Sequence, residues 1–191
     1  MSEPIKVVLL GDSIRMNYGP RAAELLAPDI QVWQPEDNCR FIKYTLQESF
    51  TNWRQQILDC DIVHFNNGNW DISNNVGDGP LSTCEEYTMN ILRAARYFKG
   101  LGKTVCFATT IPTRPEREIT DNSLVAKYNE SVVPLLKNEG VLIDDLYSLV
   151  NADVYKYIRE DDLTHLNEAG IEACAQQVAG FICGVAAGIK K

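Results

Sequence analysis

Five short apolar runs recur along the chain, and each is followed by a polar turn and then by a stretch with helical spacing. Apolar runs bounded by turn residues predict buried strands. The predicted strands cover residues 7–10, 30–34, 61–65, 103–109 and 141–143. Strands that alternate with helices form parallel sheets with helices on both faces, and we therefore predict an α/β fold with about five parallel strands.

The helices are predicted from apolar positions that recur on one side of each intervening stretch. They cover residues 18–26, 48–58, 83–98, 124–138 and 168–187. Ser82 or Thr83 is a candidate cap for the third helix, and Pro134 predicts a kink or a broken end in the fourth. Residues 74–81 are rich in Gly and Pro, and we expect an irregular segment there.

Length and charge limit the classes of protein to which the chain can belong. Its 191 residues, 45% of them hydrophobic, are typical of one globular domain spanning residues 1–191. A formal charge of −8 and the lack of a long Lys/Arg run argue against nucleic acids and anionic membranes as partners. The N-terminus shows no signal-peptide pattern, and no apolar run reaches membrane-spanning length. The six cysteines form no CxxC pair, and we expect reduced thiols in a cytoplasmic protein.

Three polar loops each follow a predicted strand, at residues 11–13, 38–40 and 66–71. The carboxyl ends of parallel strands lie at one edge of a sheet, which is where open α/β proteins bind their ligands. We therefore expect the three loops to converge on one site.

Ser13 follows the first strand within Gly11-Asp12-Ser13 and precedes a predicted helix. Such a serine has two interpretations. It is an exposed nucleophile with free backbone N–H groups nearby, or Asp12 and Ser13 only cap the start of a helix. This stretch alone favours the cap.

Asp162 and His165 stand three residues apart before the last helix. This spacing lets the carboxylate reach one imidazole nitrogen while the other faces outward, as a general base requires. The alternative is a helix-start motif on the surface. The other histidine, His64, lies within an apolar strand, and we expect it to be a core residue.

These motifs, in this order, resemble the sequence blocks of the SGNH (GDSL-type) hydrolases, including carbohydrate-esterase-like members. The likeness spans nearly the whole chain and implies a flavodoxin-like three-layer α/β/α sandwich and a serine esterase mechanism. By position, it makes Ser13 the nucleophile, His165 the general base and acid, and Asp162 the carboxylate that orients the imidazole. The resemblance implies no metal and no other cofactor.

The resemblance also implies an oxyanion hole with three donors. Two are the backbone N–H groups of the nucleophile and of Arg40, which stands where the family's Asn-x-Gly block has glycine. The bulky Arg40 side chain is expected beside the pocket. The third block departs from the family's Gly-x-Asn-Asp, because this chain has Asn66-Asn67-Gly68-Asn69-Trp70-Asp71. Asn66 is the preferred amide donor, Asn67 is less favoured, and Asn69 stays open.

The resemblance points to an esterase that removes small acyl groups, above all acetyl groups from a carbohydrate. A thioesterase, a lysophospholipase or an acyltransferase with the same triad is the alternative among enzymes. A catalytically silent binding module on the same fold is the alternative outside them. Trp70 and Tyr18 are candidate substrate-binding residues, because an aromatic ring near a loop either stacks on a sugar or lines an acyl pocket. Packing at the rim is equally compatible with both positions.

Overall fold

A computed structural model describes residues 3–189 as five parallel strands in one sheet, with helices on both faces. The strands are β1 (Ile5–Gly11), β2 (Ile30–Trp33), β3 (Ile62–Asn66), β4 (Thr104–Ala108) and β5 (Leu142–Asp144). Their order in the sheet is β2-β1-β3-β4-β5, which is the flavodoxin-like order. The predicted fold class is confirmed.

The helices alternate with these strands, as the sequence predicts. They are α1 (Ser13–Leu26), α2 (Ile42–Phe50), α3 (Arg54–Asp59), α4 (Asn69–Ile72), α5 (Cys84–Gly100), α6 (Asn122–Asn138), α7 (Leu146–Asn151), α8 (Val154–Tyr157) and α9 (Glu168–Ile189). Thr83 caps α5 in a capping box, in which its hydroxyl accepts the N–H of Glu86 and the Glu86 carboxylate accepts the N–H of Thr83.

Two helices differ from the sequence prediction. The single helix predicted over residues 48–58 is divided between α2 and α3, because the backbone leaves the helical region at Thr51 (φ −114°, ψ −97°). The broken end predicted at Pro134 is wrong, since α6 runs through this residue to Asn138. Pro134 removes one backbone N–H, and the burial of Val132 and Leu136 on either side offsets that loss.

The core lies on both faces of the sheet, because successive side chains of a strand point to opposite faces. Val8 and Leu10 of β1 pack with residues of α2, α3, α5 and α6, whereas Val7 and Leu9 pack with residues of α1 and α9. His64 of β3 is fully buried, with Nε2 3.1 Å from Oδ2 of Asp144. The prediction that His64 is a core residue is confirmed.

α9 corrects the expectation that no segment reaches membrane-spanning length. Within residues 3–189 it is the one helix that meets the length and composition of a membrane span, with a mean hydropathy of 1.2. In this fold it packs against α1 and buries Cys174, Val178 and Ile182 in the core. A core helix is apolar for the same physical reason as a membrane helix, since both exclude water.

The edge that carries the loops is set by the strand register. β1 and β3 are neighbours, and Gly11 at the end of β1 pairs with Asn66 at the end of β3. The loop after β1 and the loop after β3 therefore emerge side by side. This is the point in an open parallel sheet where the connections diverge to opposite faces and leave a crevice.

Candidate active site

Ser13 stands at the turn between β1 and α1. β1 ends at Gly11, Asp12 caps α1, and Ser13 is the first helical residue. Oδ1 of Asp12 accepts a hydrogen bond from the backbone N–H of Ile14 at 2.9 Å, as an N-cap side chain does. The N–H of Ser13 belongs to the first helical turn, where no helical carbonyl is placed to accept it. Asp12 is thus the cap, and the Ser13 hydroxyl is left for another partner.

The hydroxyl of Ser13 meets the imidazole of His165, although 152 residues separate them. Oγ of Ser13 lies 2.7 Å from Nε2 of His165, and Nδ1 of His165 lies 2.9 Å from Oδ2 of Asp162. The three side chains form one chain of hydrogen bonds in the order carboxylate, imidazole, hydroxyl. A serine needs this contact with a base in order to lose its proton as it attacks.

The carboxylate of Asp162 is held in its charged form by its own loop. Oδ1 accepts the backbone N–H groups of Thr164 and His165, each at 2.9 Å. Burial raises the pKa of Asp162, but these N–H groups and the imidazole outweigh it and lower the pKa to about 2. Asp162 is therefore an anion at neutral pH.

The loop that carries Asp162 and His165 is tied to its surroundings on both sides. Leu163 has a left-handed backbone with φ of +63°, a conformation that costs a branched residue free energy. Its carbonyl accepts the N–H of Arg114 at 2.9 Å, and the N–H of Leu166 donates to Oδ1 of Asn17 in α1 at 3.3 Å. These contacts fix the imidazole relative to the helix that carries Ser13.

The loop after β2 is anchored by Arg15, a residue that the sequence analysis did not single out. The Arg15 side chain is buried and donates to the carbonyls of Pro35 (3.1 Å) and Asp37 (2.8 Å). The N–H of Cys39 donates to the carbonyl of Gly11 at 3.1 Å. An arginine two residues after the serine resembles any solvent-exposed helix residue in the sequence, and only the fold encloses it.

The backbone of Arg40 agrees with the expectation, but its N–H group and its side chain do not. Its φ of +49° is the left-handed conformation that glycine adopts at lowest cost, which agrees with the glycine of the Asn-x-Gly block. However, its N–H already donates to Oδ1 of Asn38 at 2.8 Å. Its guanidinium lies 4.6 Å from the centre of the Tyr44 ring rather than in the wall of the cavity beside Ser13.

Three asparagines at and after the end of β3, namely Asn66, Asn67 and Asn69, have different surroundings. Asn66 packs over Gly11, where its Oδ1 is buried, and it does not line the cavity beside Ser13. Asn69, the first residue of α4, lines that cavity together with Ser13 and His165. Its side chain makes no hydrogen bond within residues 3–189, and its Oδ1, like that of Asn66, is buried without a partner. The geometry therefore favours Asn69 over Asn66 as an amide donor.

Asn67 and Asp71 hold neighbouring loops together and do not line the cavity beside Ser13. Nδ2 of Asn67 donates to the carbonyl of Arg40 at 2.9 Å, which ties the loop after β3 to the loop after β2. The buried carboxyl of Asp71 accepts the hydroxyl of Ser82 (2.9 Å) and the N–H of Ile42 (3.1 Å). Burial raises the pKa of Asp71 to about 7, although these two hydrogen bonds oppose the shift.

A cavity of about 270 Å³ opens in front of Ser13 and His165. Eight of its nine lining residues carry polar or charged side chains, and the exception is Trp70. The other lining residues are Asn38, Asn69, Ser73, Asn75, Arg117 and Thr164. The three loops named in the sequence analysis thus converge, and the segment after α4 completes the wall.

The two aromatic candidates have different positions. Trp70 lines the cavity with 38% of its surface exposed. The prediction that Tyr18 contacts substrate is wrong, because this residue is fully buried between α1 and the sheet. Tyr18 precedes Gly19-Pro20 and therefore resembles a loop residue in the sequence, but α1 begins at Ser13 and turns Tyr18 toward the core.

Arg117 is the charged residue of the cavity that the sequence analysis missed. It lies between β4 and α6, in a stretch predicted only as an irregular loop. Neither a motif nor a spacing distinguishes it from the neighbouring Arg114. Only the tertiary structure places one of the two arginines beside Ser13.

A larger cavity, of about 470 Å³, lies at the β5 edge against α6. Its polar groups bind one another: Oγ1 of Thr109 donates to Oδ1 of Asp145 (3.0 Å) and accepts the N–H of Tyr147 (2.8 Å). Size alone therefore does not mark an active site here. Within residues 3–189, no group of three His, Cys, Asp or Glu side chains is arranged to hold a metal ion.

Solved structures match the chain over nearly its whole length. A lipase/acylhydrolase from Enterococcus faecalis is 18% identical, with 94% of this chain and 96% of that chain covered and a TM-score of 0.76. A catalytic mutant of an acetylxylan esterase from Geobacillus stearothermophilus is 16% identical, with 95% and 96% covered and a TM-score of 0.79. No protein-family model and no curated protein matches the sequence. The chain thus has the fold of the SGNH acylhydrolases, as its resemblance to them predicts.

Proposed function

We propose that the protein is a serine esterase in which Ser13 is the nucleophile, His165 the general base and acid, and Asp162 the orienting carboxylate. The observation that carries the proposal is the continuous hydrogen-bond chain from Asp162 through His165 to Ser13, with distances of 2.9 and 2.7 Å. Ser13 and His165 of this hydrogen-bond chain line a cavity, and the protein has the fold of the SGNH acylhydrolases.

The first half of the reaction forms an acyl-enzyme. Nε2 of His165 takes the hydroxyl proton as Oγ of Ser13 forms a bond to the ester carbonyl carbon. The negative charge that develops on the carbonyl oxygen is met by the N–H of Ser13 and by the amide of Asn69. His165 then gives its proton to the alcohol oxygen as the bond between carbonyl carbon and alcohol breaks.

The second half repeats these steps with water. His165 removes a proton from a water molecule, the water oxygen attacks the acyl carbon, and the bond to Oγ of Ser13 breaks as His165 returns the proton. Asp162 keeps the imidazolium stable at both stages, because its low pKa maintains a negative charge 2.9 Å from Nδ1. Arg40 can add a third N–H donor once Asn38 releases it.

The substrate that the cavity favours is a short acyl ester of a polar alcohol, such as an acetylated carbohydrate. A volume of about 270 Å³ accommodates a small acyl group, and its polar wall offers hydrogen bonds to hydroxyl groups. Trp70 supplies the aromatic face on which a sugar ring stacks. A long acyl chain needs an extended apolar groove, and Trp70 is the one apolar side chain that this cavity offers to it. The structural neighbours include acetylxylan esterases.

Hydrolysis of p-nitrophenyl acetate, butyrate and octanoate by the wild type and by Ser13→Ala tests the proposal. We expect activity to be highest with acetate and to disappear in the variant. Ser131→Ala, which removes a half-buried hydroxyl of α6 outside the cavity, is the matched control and is expected to retain activity. A preference for octanoate would instead favour a thioesterase or lysophospholipase.

Labelling with an organophosphonate separates an enzyme from a silent binding module. The wild type is expected to be labelled at Ser13, because the phosphonate phosphorus is attacked by an activated serine oxygen. A folded wild-type protein that resists labelling and hydrolyses none of the three esters would contradict the esterase proposal.

A further inference from the structure

Arg117 forms part of the cavity wall, next to the loop that carries Asp162 and His165. Its Nε donates to Oγ1 of Thr120 at 3.1 Å, and one terminal nitrogen contacts the carbonyl of Asp162 at 3.5 Å. The other terminal nitrogen makes no hydrogen bond within residues 3–189. The half-buried side chain is thus held at Nε, keeps one terminal nitrogen without a hydrogen bond, and lines the same cavity as Ser13.

The charge of Arg117 is not neutralised by a neighbouring carboxylate. Within residues 3–189, no Asp or Glu oxygen lies within 4.0 Å of its nitrogens, whereas the carboxylate of Asp162 pairs with His165 and with Arg159 at 3.6 Å. Burial lowers the pKa of Arg117, with the charge of Asp162 opposing the shift. A partly desolvated cation without an anionic partner is unfavourable, and an anion that enters the cavity removes this cost.

We propose that Arg117 is a specificity residue that binds a carboxylate of the substrate. The substrate class would then be short-chain esters of an acidic alcohol component, such as O-acetylated acidic sugars. This inference rests on the proposed function for the reaction itself. A guanidinium presents donors in a planar fork that matches a carboxylate, and such pairs give both affinity and orientation.

The overall charge of the protein makes a local cation necessary for any anionic substrate. At −8 the chain repels anions in general, so an acidic substrate needs a local cation at the site. The alternative role for Arg117 is to hold the loop of Asp162 through the carbonyl contact. The two roles differ in what they predict, because loop support affects every ester whereas carboxylate binding affects only acidic ones.

The kinetic test compares meta- and para-acetoxybenzoate with the corresponding acetoxybenzamides, which replace the carboxylate by a neutral amide. The ratio of kcat/KM for acid to kcat/KM for amide is measured in the wild type and in Arg117→Gln. We expect this ratio to fall about tenfold or more in the variant, through KM, for at least one pair, as the loss of a hydrogen bond to a charged group predicts. Arg117→Lys is expected to restore part of it.

Arg93→Gln is the matched control, because it removes the same charge from an exposed position of α5. Its ratio is expected to stay close to that of the wild type. An unchanged ratio in Arg117→Gln for both pairs, or an equal fall in Arg93→Gln, would overturn the inference.

Binding separates this inference from the proposed function. In Ser13→Ala, calorimetry measures the Kd of the same four intact esters, with and without Arg117→Gln. Tighter binding of an acid than of its amide, lost in the double variant, supports Arg117 as an anion site even if the wild type hydrolyses no ester. Equal binding of acid and amide in both pairs overturns it even if the esterase proposal holds.

Discussion

The side-chain oxygen of Asn66 lies directly over Gly11. A Cβ at residue 11 would stand 2.1 Å from Oδ1 of Asn66 and 2.6 Å from Cβ of Arg15. Because both neighbours are buried, neither can move away without disturbing the core. Glycine is therefore required where β1 turns toward Ser13, and the requirement is steric.

Replacement of Gly11 by alanine is expected to destabilise the protein by about 1–3 kcal/mol, the usual effect of overpacking. Urea denaturation measures the change in the free energy of unfolding. Gly184→Ala is the control, because this glycine lies within α9 and a Cβ there meets nothing within 4 Å. Alanine in a helix is expected to stabilise by about 0.5–1 kcal/mol relative to glycine. Equal effects at both positions would contradict the steric argument.

Asp162→Asn is expected to lower kcat by about 10²–10⁴ with little change in KM. The amide nitrogen of asparagine donates to Nδ1 of His165 and so places the imidazole proton on Nε2, which can then no longer accept the Ser13 proton. Asp161→Asn is the matched control, since Asp161 is exposed and pairs with Arg159 rather than with His165. Steady-state kinetics on p-nitrophenyl acetate decides, and an equal loss in both variants would mean that charge near the loop matters rather than the contact with the imidazole.

Asn69→Ala is expected to lower kcat by about 10²–10³, because one oxyanion donor is lost. Asn75→Ala removes an amide from the same cavity wall, in the loop after α4, and is expected to act mainly on KM. Comparison of kcat and KM for the two variants makes the assignment. A normal kcat in Asn69→Ala would return the role of amide donor to Asn66.

Asp71 makes stability depend on pH. Burial raises its pKa from 3.8 to about 7 in the folded protein, so its stabilising contribution is present below pH 3.8 and is lost as pH rises through about 7. Asparagine at residue 71 can accept the N–H of Ile42 and donate to Ser82, but it does not ionise. We therefore expect the free energy of unfolding of Asp71→Asn to increase relative to that of the wild type from about pH 5 to about pH 8.

Urea denaturation of Asp71→Asn and of the wild type, at about pH 5 and at about pH 8, measures the difference between their free energies of unfolding. Asp161→Asn is again the control, because its hydrogen bond to Arg159 lowers the pKa of Asp161 and its titration lies below this window. A constant difference between Asp71→Asn and the wild type would show that Asp71 ionises below this range in the folded state.

Much of this architecture follows from local patterns. The apolar runs predict all five strands and the parallel sheet. A strand that is buried on both faces is apolar along its whole length, and this pattern can be recognised even when its partner strands are unknown. The pair Asp162 and His165 is also local, since three residues of chain are enough to bring the carboxylate to the imidazole. The capping box at Thr83 and Glu86 is another such case.

Other predictions failed where the outcome depends on the face that a residue presents. Tyr18 lies in the core because α1 starts earlier than its Gly-Pro neighbours suggest, and a helix rotates each residue by a fixed angle from its start. Asn66, Asn67 and Asn69 lie within four residues of one another in sequence, yet α4 turns Asn69 into the cavity while Asn66 stays in the strand.

The sequence by itself determined the strands, the loops at one sheet edge and the pairing of Asp162 with His165. The tertiary structure alone decided that Oγ of Ser13 lies 2.7 Å from Nε2 of His165, that Asn69 rather than Asn66 lines the cavity, and that Arg117 joins them. The physical reason is that hydrophobic periodicity and short-range hydrogen bonds depend only on residues that are close together in the sequence. The meeting of side chains from distant segments depends instead on how the loops pack over the sheet.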